Sequence, residues 1–386
     1  MVHIPLAPFT AYSGHRNPKM LLVGESWGKS EAELRKPFVG ESGKLLFQIL
    51  GEAMSGEEPE LYSEALASFR YGLGWVGARE RWLQAVGIGM TNVVNLQPAG
   101  NKIESLCCSK TELPEKGKNY ARSALSQGKY LHPDYLGELE RLASEISEAK
   151  PNLILALGNT ACWAMFNSSG IGGLRGAIGS GLGGVKTLAS YHPAGVMRNW
   201  SWRPILLADS IKGWREAQFS DLRRPNRRVS INPTEMDTRA WVDECLVNPP
   251  EVLSVDIETA VGMITCIGFG KATDEAMVVP FRLMSSKDGN YWPDARTEAR
   301  VWNQIQRLLA SPIPKLFQNG VYDLQYLLRF GLVINNVVED SMLLHHSIMP
   351  EMQKGLGFLG SVYSNEPAWK LMRRHKGDEK GVKADE

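Results

Sequence analysis

A chain of 386 residues with 43% hydrophobic content is long and apolar enough to fill two cores of ordinary domain size. Its net charge of +1 excludes a uniformly basic coat, so any contact with a polyanion has to come from local patches. No window approaches the roughly 18 apolar residues of a membrane span, and five cysteines without a CxxC spacing argue against a zinc or redox motif. These features predict a soluble, cytoplasmic protein with reduced thiols and no membrane partner.

In chain order, Met20-Leu21-Leu22-Val23 is a short apolar run ending in Gly24, and Pro151-Asn152-Leu153-Ile154-Leu155-Ala156-Leu157-Gly158 repeats the design. Both read as buried parallel strands. Gly43 to Met54 and Tyr135 to Ala149 read as helices, the second with Leu136, Leu139, Leu142 and Ile146 on one face. Val185 to Tyr191 reads as a strand that His192-Pro193 ends, because proline cannot continue a ladder. A helix near Arg203 to Gln218 closes this first unit. The run Arg223, Arg224, Pro225, Asn226, Arg227, Arg228 then follows, either a solvated linker or a strap for phosphates.

After a helix near Thr234 to Leu246, three runs (Val252 to Glu258, Met263 to Phe269, Ala276 to Pro280) read as an antiparallel meander. A helix from about Thr297 to Leu309, a strand Lys315 to Phe317 and a helix Val321 to Phe330 complete a mixed pattern. The expected division is a first domain at 1–218, a basic linker at 219–236 and a second domain at 237–386, the last with a tail from His375 to Glu386 poor in apolar residues. Alternation of strand and helix argues for α/β layers in both.

Four separated segments of the first half carry chemistry. Gly24-Glu25-Ser26-Trp27-Gly28 follows a buried strand, and glycines there let a ligand approach the backbone. Pro37-Phe38-Val39-Gly40, Thr91-Asn92-Val93-Val94 and Ser190-Tyr191-His192-Pro193 come after it in order. Together they resemble the uracil-DNA glycosylase superfamily over about residues 18 to 215, closest to its iron–sulfur branch and to forms at the front of phage DNA polymerases. The resemblance implies a three-layer α/β/α domain with a parallel sheet. It assigns base recognition to Asn92, base stacking to Phe38 and contact with an extruded nucleotide to Glu25 and the turn holding Gly24, Ser26 and Gly28. His192 would face the charge that develops on the leaving base, and Arg198 would hold a flanking phosphate. An Asn side chain offers both donor and acceptor, which suits the edge of uracil. Ser26 stands where the most active relatives carry a water-activating Asp, and Leu96 where the iron–sulfur branch carries a cysteine, so no cluster is expected.

In the second half, Asp256-Ile257-Glu258 ends an apolar strand, and alternation puts its two carboxylates on one face. Asn319-Gly320-Val321-Tyr322-Asp323 and Asp340 follow. This series resembles the DnaQ-like 3′–5′ exonucleases attached to family-A DNA polymerases, over about residues 237 to 370. It implies a mixed-sheet, RNase H-like domain in which Asp256, Glu258 and Asp323 hold Mg2+ or Mn2+ and Asn319 and Asp340 support them. The family's fourth carboxylate, expected beyond the Tyr363 to Lys370 segment, is missing, so the resemblance implies a domain incomplete at the C-terminus. The implied partners are single-stranded DNA or DNA 3′ ends and a polymerase module in the same or a separate chain. The implied setting is the cytoplasm of a bacterial host for a phage-encoded protein. A non-catalytic DNA-binding module with degenerate sites is the competing expectation.

Overall fold

The computed structural model describes residues 3–54, 56–71, 74–113, 122–283, 285–286 and 288–366. The chain forms two compact units, Met1–Arg223 together with Gly360–Glu386, and Arg224–Leu359. Both are α/β, as the alternation of elements predicted.

The first unit contains strands β1 (Ser13–Gly14), β2 (Met20–Ser26), β3 (Ile88–Val94), β4 (Cys107–Cys108), β5 (Tyr130–Leu131), β6 (Leu153–Leu157), β7 (Ile178–Ser180) and β8 (Lys186–Ser190). Six of them form one sheet in the order β1-β3-β2-β6-β8-β7, and β4 pairs with β5 apart from it. The four central strands β3, β2, β6 and β8 are parallel, while β1 and β7 add antiparallel edges. Runs such as Met20 to Val23 and Leu153 to Leu157 are wholly buried because helices cover both faces. Leu21, Val23, Ile154 and Ala156 meet Leu139, Leu142 and Ile146 of the helix Leu136–Ala149. Burying each such side chain is worth roughly 1.5–3 kcal/mol. On the opposite face, Met20, Leu153 and Leu188 meet the helix Arg203–Glu216 at Gly213. From β2 the chain crosses to β3 on one side and then to β6 on the other, a change of direction that opens a crevice at the carboxyl ends of the strands.

The second unit contains β9 (Arg228–Ser230), β10 (Leu253–Ala260), β11 (Met263–Ala272), β12 (Glu275–Pro280), β13 (Lys315–Phe317) and β14 (Val337–Asp340). Their order in one mixed sheet is β14-β13-β10-β11-β12-β9. β10, β11 and β12 are the antiparallel meander, while β13 joins β10, β14 joins β13 and β9 joins β12 in parallel. Val255, Ile257, Ile267 and Phe269 form the core with Trp241 of the helix Glu235–Val247 and Val301 and Ile305 of the helix Ala295–Leu309. Thr234 and Asp237 cap the first of these helices reciprocally, and Asp294 caps the second by accepting from the Thr297 amide.

Two boundaries and three helices differ from the sequence-based expectation. Part of the stretch read as a linker, Arg228–Ser230, is an edge strand, because its amides find a partner in β12. The chain from Gly360 groups with the first unit rather than ending the second. The helices Pro59–Tyr71, Trp75–Val86 and Gly158–Phe166 had no clear apolar period to announce them. All five cysteines are unpaired thiols, and among the described residues no helix is long and apolar enough to cross a membrane. The tail from His375 to Glu386 and the end of the Tyr363 to Lys370 segment lie outside the described residues.

Candidate functional site

At the carboxyl ends of β2, β3, β6 and β8 lies a cleft of about 590 Å³. Glu25, Ser26 and Gly28 line it from the end of β2, Phe38 from the following loop, Asn92 from β3, and His192 and Arg198 from the turn and helix after β8. Gly24 lies behind this wall: a Cβ there would come 2.3 Å from Asn92 Oδ1 and 2.6 Å from Phe38 Cζ, so only glycine lets the two side chains converge. The first-half residues singled out in the sequence thus meet around one hollow.

Each has a distinct electrostatic state. Asn92 is buried, and its Nδ2 has no hydrogen-bond partner within the protein. An amide left unpaired at a cleft wall is a donor waiting for a ligand acceptor, since burial without a partner costs about 1–3 kcal/mol. The ring of Phe38 is inclined 26° to that of His192, with centroids 6.1 Å apart. His192 caps the helix Pro193–Arg198 by accepting from the Ala194 amide at Nδ1, 3.1 Å away. Burial, helped by the cation of Arg198, holds its pKa down at about 4. A neutral imidazole whose Nδ1 accepts carries its proton on Nε2, so His192 is a hydrogen-bond donor with no net charge. Glu25 accepts from the Thr160 hydroxyl at 2.5 Å, and burial pushes its carboxyl above the usual range against the opposing effect of that bond.

Charged residues that the sequence reading passed over hold this wall. Arg141 donates to the carbonyls of Asn92 (2.7 Å) and Val93 (3.0 Å) and pairs with Glu138 and Glu145 at 2.9 and 2.8 Å. Glu138 accepts from the Asn95 amide and Glu145 from the Thr91 hydroxyl. All three lie on the buried side of the helix Leu136–Ala149. Their spacing beside Leu139, Leu142 and Ile146 was the available signal, since charges placed on an apolar stripe have to be paired there. Glu31 lines the cleft and accepts from the amides of Val39 (3.1 Å) and Gly40 (2.8 Å). Tyr191 and Trp202, stacked 4.3 Å apart, form another part of the wall.

The basic run after the first unit is largely engaged. Arg223 pairs with Asp221 and lies over Phe219, and Arg228 pairs with Glu275.

In the second unit, Asp256 and Glu258 project together from the exposed face of β10 while Leu253, Val255 and Ile257 face the core. Asp323, on the helix Val321–Arg329, is buried and accepts from the Ile257 amide at 2.9 Å. Burial raises its pKa to about 6, with Asp256 and Asp340 adding to the effect. Asp256 is raised by burial and then by Glu258. These acids feel one another, but among the described residues no group of three or more His, Cys, Asp or Glu side chains is arranged to hold a metal ion. The residues expected to hold Mg2+ or Mn2+ are thus brought near one another, with one oxygen of Asp323 turned to the backbone of β10. Asp340 acts as a clamp. It accepts from the amides of Asn319 and Gly320 and caps the helix Ser341–Ile348 through Met342 and Leu343. Asn319, with φ at +57°, sits in the left-handed turn that this clamp holds.

Comparison with known proteins places these features among relatives. A Type-4 uracil-DNA glycosylase of Thermotoga maritima is 24% identical over 215 residues, covering 55% of this chain and 84% of the relative. The catalytic core of RRP6 from Trypanosoma brucei matches with a TM-score of 0.27 and 18% identity, over 37% of this chain and 38% of that one. The EXD2 exonuclease domain soaked in Mn and GMP matches with a TM-score of 0.23 and 18% identity, over 40% of this chain and 77% of that one. The profile of the Uracil DNA glycosylase superfamily matches residues 11–216, over half of the 386 residues, and the chain belongs to that superfamily.

Proposed function

We propose that the first unit removes uracil from DNA by hydrolysing the N-glycosidic bond. The observation that carries this reading is the buried Asn92 amide left without a partner beside the stacked rings of Phe38 and His192. A base acted on by such a protein has to leave the helical stack and enter a pocket that reads its edge and covers its face. Phe38 would cover the face of uracil and Asn92 would donate to its carbonyl edge. As the C1′–N bond breaks, its electron pair passes to the base, and the uracil anion carries charge on O2. The neutral His192 would donate from Nε2 to that oxygen, an interaction strongest once the charge has developed. Water adds its hydroxyl to C1′ to leave an abasic sugar, and its remaining proton passes to the uracil anion, which departs as neutral uracil. Ser26 lies on the wall of the cleft where its hydroxyl can orient that water, and Arg198 would hold the flanking phosphate.

For the second unit the reading is a DnaQ-like exonuclease module that engages a DNA 3′ end without cutting it, working beside a polymerase module in the same or a separate chain. The paired acids on β10 support the kinship in type, and the backbone amides that bond Asp323 and Asp340 support weak metal binding and the loss of cutting.

One experiment separates these readings. Single-stranded DNA carrying one uracil and a 3′ label is incubated with the chain in Mg2+, then treated with alkali. Excision predicts a break at the uracil position and an intact 3′ end. DNA retained on the protein with no break would transfer the first unit to the class of binding modules, and shortening from the 3′ end would overturn the reading of the second.

A further inference from the structure

Phe38 adopts a left-handed backbone conformation, with φ at +54°, that side chains other than glycine, Asn and Asp rarely take. A residue held there has to be fixed by its surroundings, and such strain is found where a side chain is aimed for function. The fixing contacts come from both sides. Glu31 accepts from the two amides that follow, Val39 and Gly40. Gly43 lies directly beneath, where a Cβ would come 2.0 Å from the Phe38 carbonyl oxygen. Arg79, on the helix Trp75–Val86, donates from Nη1 to the carbonyls of Pro37 and Phe38 and from Nη2 to the Ser13 hydroxyl.

Arg79 is fully buried, and its guanidinium lies 5.3 Å from the centre of the Trp75 ring. Its nearest carboxylate oxygen, on Glu80, is 3.9 Å away, so carbonyl oxygens rather than an acid take its strongest bonds. Burying a cation without a close counter-ion is costly. Core packing alone would be served as well by a methionine of similar volume. The cation is used where two consecutive carbonyls of one loop converge, and a planar fork of donors is suited to fix both.

We propose that Arg79 is a positioning residue that locks the Phe38 loop in its left-handed conformation and thereby sets the plane on which the extruded base stacks. It acts through Phe38 and touches no substrate. This rests on the reading of the cleft as a base pocket, with Phe38 as its stacking surface.

The test is a double-mutant cycle in the full chain, read as excision of uracil from single-stranded DNA. Arg79→Met is expected to lower kcat/KM by about 10- to 100-fold, since small misplacements of a positioning surface have effects of that size. Arg79→Lys keeps the charge but loses the fork, and is expected to recover part of the loss. In a Phe38→Ala background, Arg79→Met is expected to cost nothing further. Additive losses in the double variant overturn the proposal. A second readout is independent of activity: with 4-fluorophenylalanine at position 38 alone, the 19F resonance is expected to move or split on Arg79→Lys or Arg79→Met. Identical spectra overturn the proposal even for a chain that leaves uracil in place, whereas a shifted line with no excision by the parent chain overturns only the glycosylase reading. Should Arg79→Met fail to fold, the Arg79→Lys arm decides both readouts.

Discussion

Two residues of the cleft carry sharp expectations. The Asn92 Nδ2 group makes no bond within the protein, so its loss leaves nothing unsatisfied in the fold. Asn92→Ala is therefore expected to reduce excision by about 10²–10³-fold, the range typical for one lost transition-state donor, while the melting temperature stays near that of the parent. Steady-state kinetics beside calorimetry checks this, and a large loss of stability would instead mark Asn92 as structural. His192 is held neutral with a pKa of about 4, below its ordinary 6.5. As pH falls below 6.5 the unfolded chain takes up a proton that the folded chain refuses, so stability declines from there down to about pH 4. The slope is at most about 1.4 kcal/mol per pH unit. His192→Gln should flatten denaturant midpoints measured across that window, and an unchanged slope would place the titration elsewhere. In the second unit the sign has the same sense as for any raised carboxyl. Asp323, raised to about 6, makes the fold less stable as pH rises from near 4 through 6. Asp323→Asn keeps an acceptor for the Ile257 amide, and is expected to raise stability at pH 8 by on the order of 1–3 kcal/mol in urea unfolding.

The element that governs the cleft is β3, and its register is tied to one helix. Arg141 bridges the β3 carbonyls to Glu138 and Glu145 inside the protein. Arg141→Met would strand two buried acids and is expected to cost about 3–5 kcal/mol in denaturant unfolding, far more than a surface pair. A loss under 1 kcal/mol would mean that neighbouring groups or water already satisfy them. This network also shows where the sequence was legible and where it was not. Strands β2 and β6 were readable because both faces are covered and the apolar run is unbroken. The convergence of Glu25, Phe38, Asn92 and His192 followed from strand ends and the order of four motifs. What escaped were groups whose partners lie outside helical or strand spacing: Arg79 clamping a loop some forty positions earlier, and Glu31 closing on Val39 and Gly40 across the turn that follows it. Local pattern holds no record of such pairs. The acids of the second unit were equally plain as residues, but their use was not, because only the fold reveals that Asp323 faces a backbone amide and Asp340 caps a helix.

At the scale of the molecule, the units are not consecutive. The chain leaves the first unit at Arg223 and returns to it at Gly360. On return, the carbonyls of Ser361 and Ser364 accept from the buried Lys212, which also donates to Gly176, and Asn365 donates to Glu216 at 2.8 Å. Lys212→Met is expected to speed amide exchange across residues 361–366, and unchanged protection would show that packing alone keeps the segment in place. Two covalent passages therefore tether the second unit, and this has a practical outcome for proteolysis. A nick in the arginine-rich stretch would give two fragments in denaturing gels that still migrate together under native conditions, because the severed piece keeps its anchor on the first unit through Lys212.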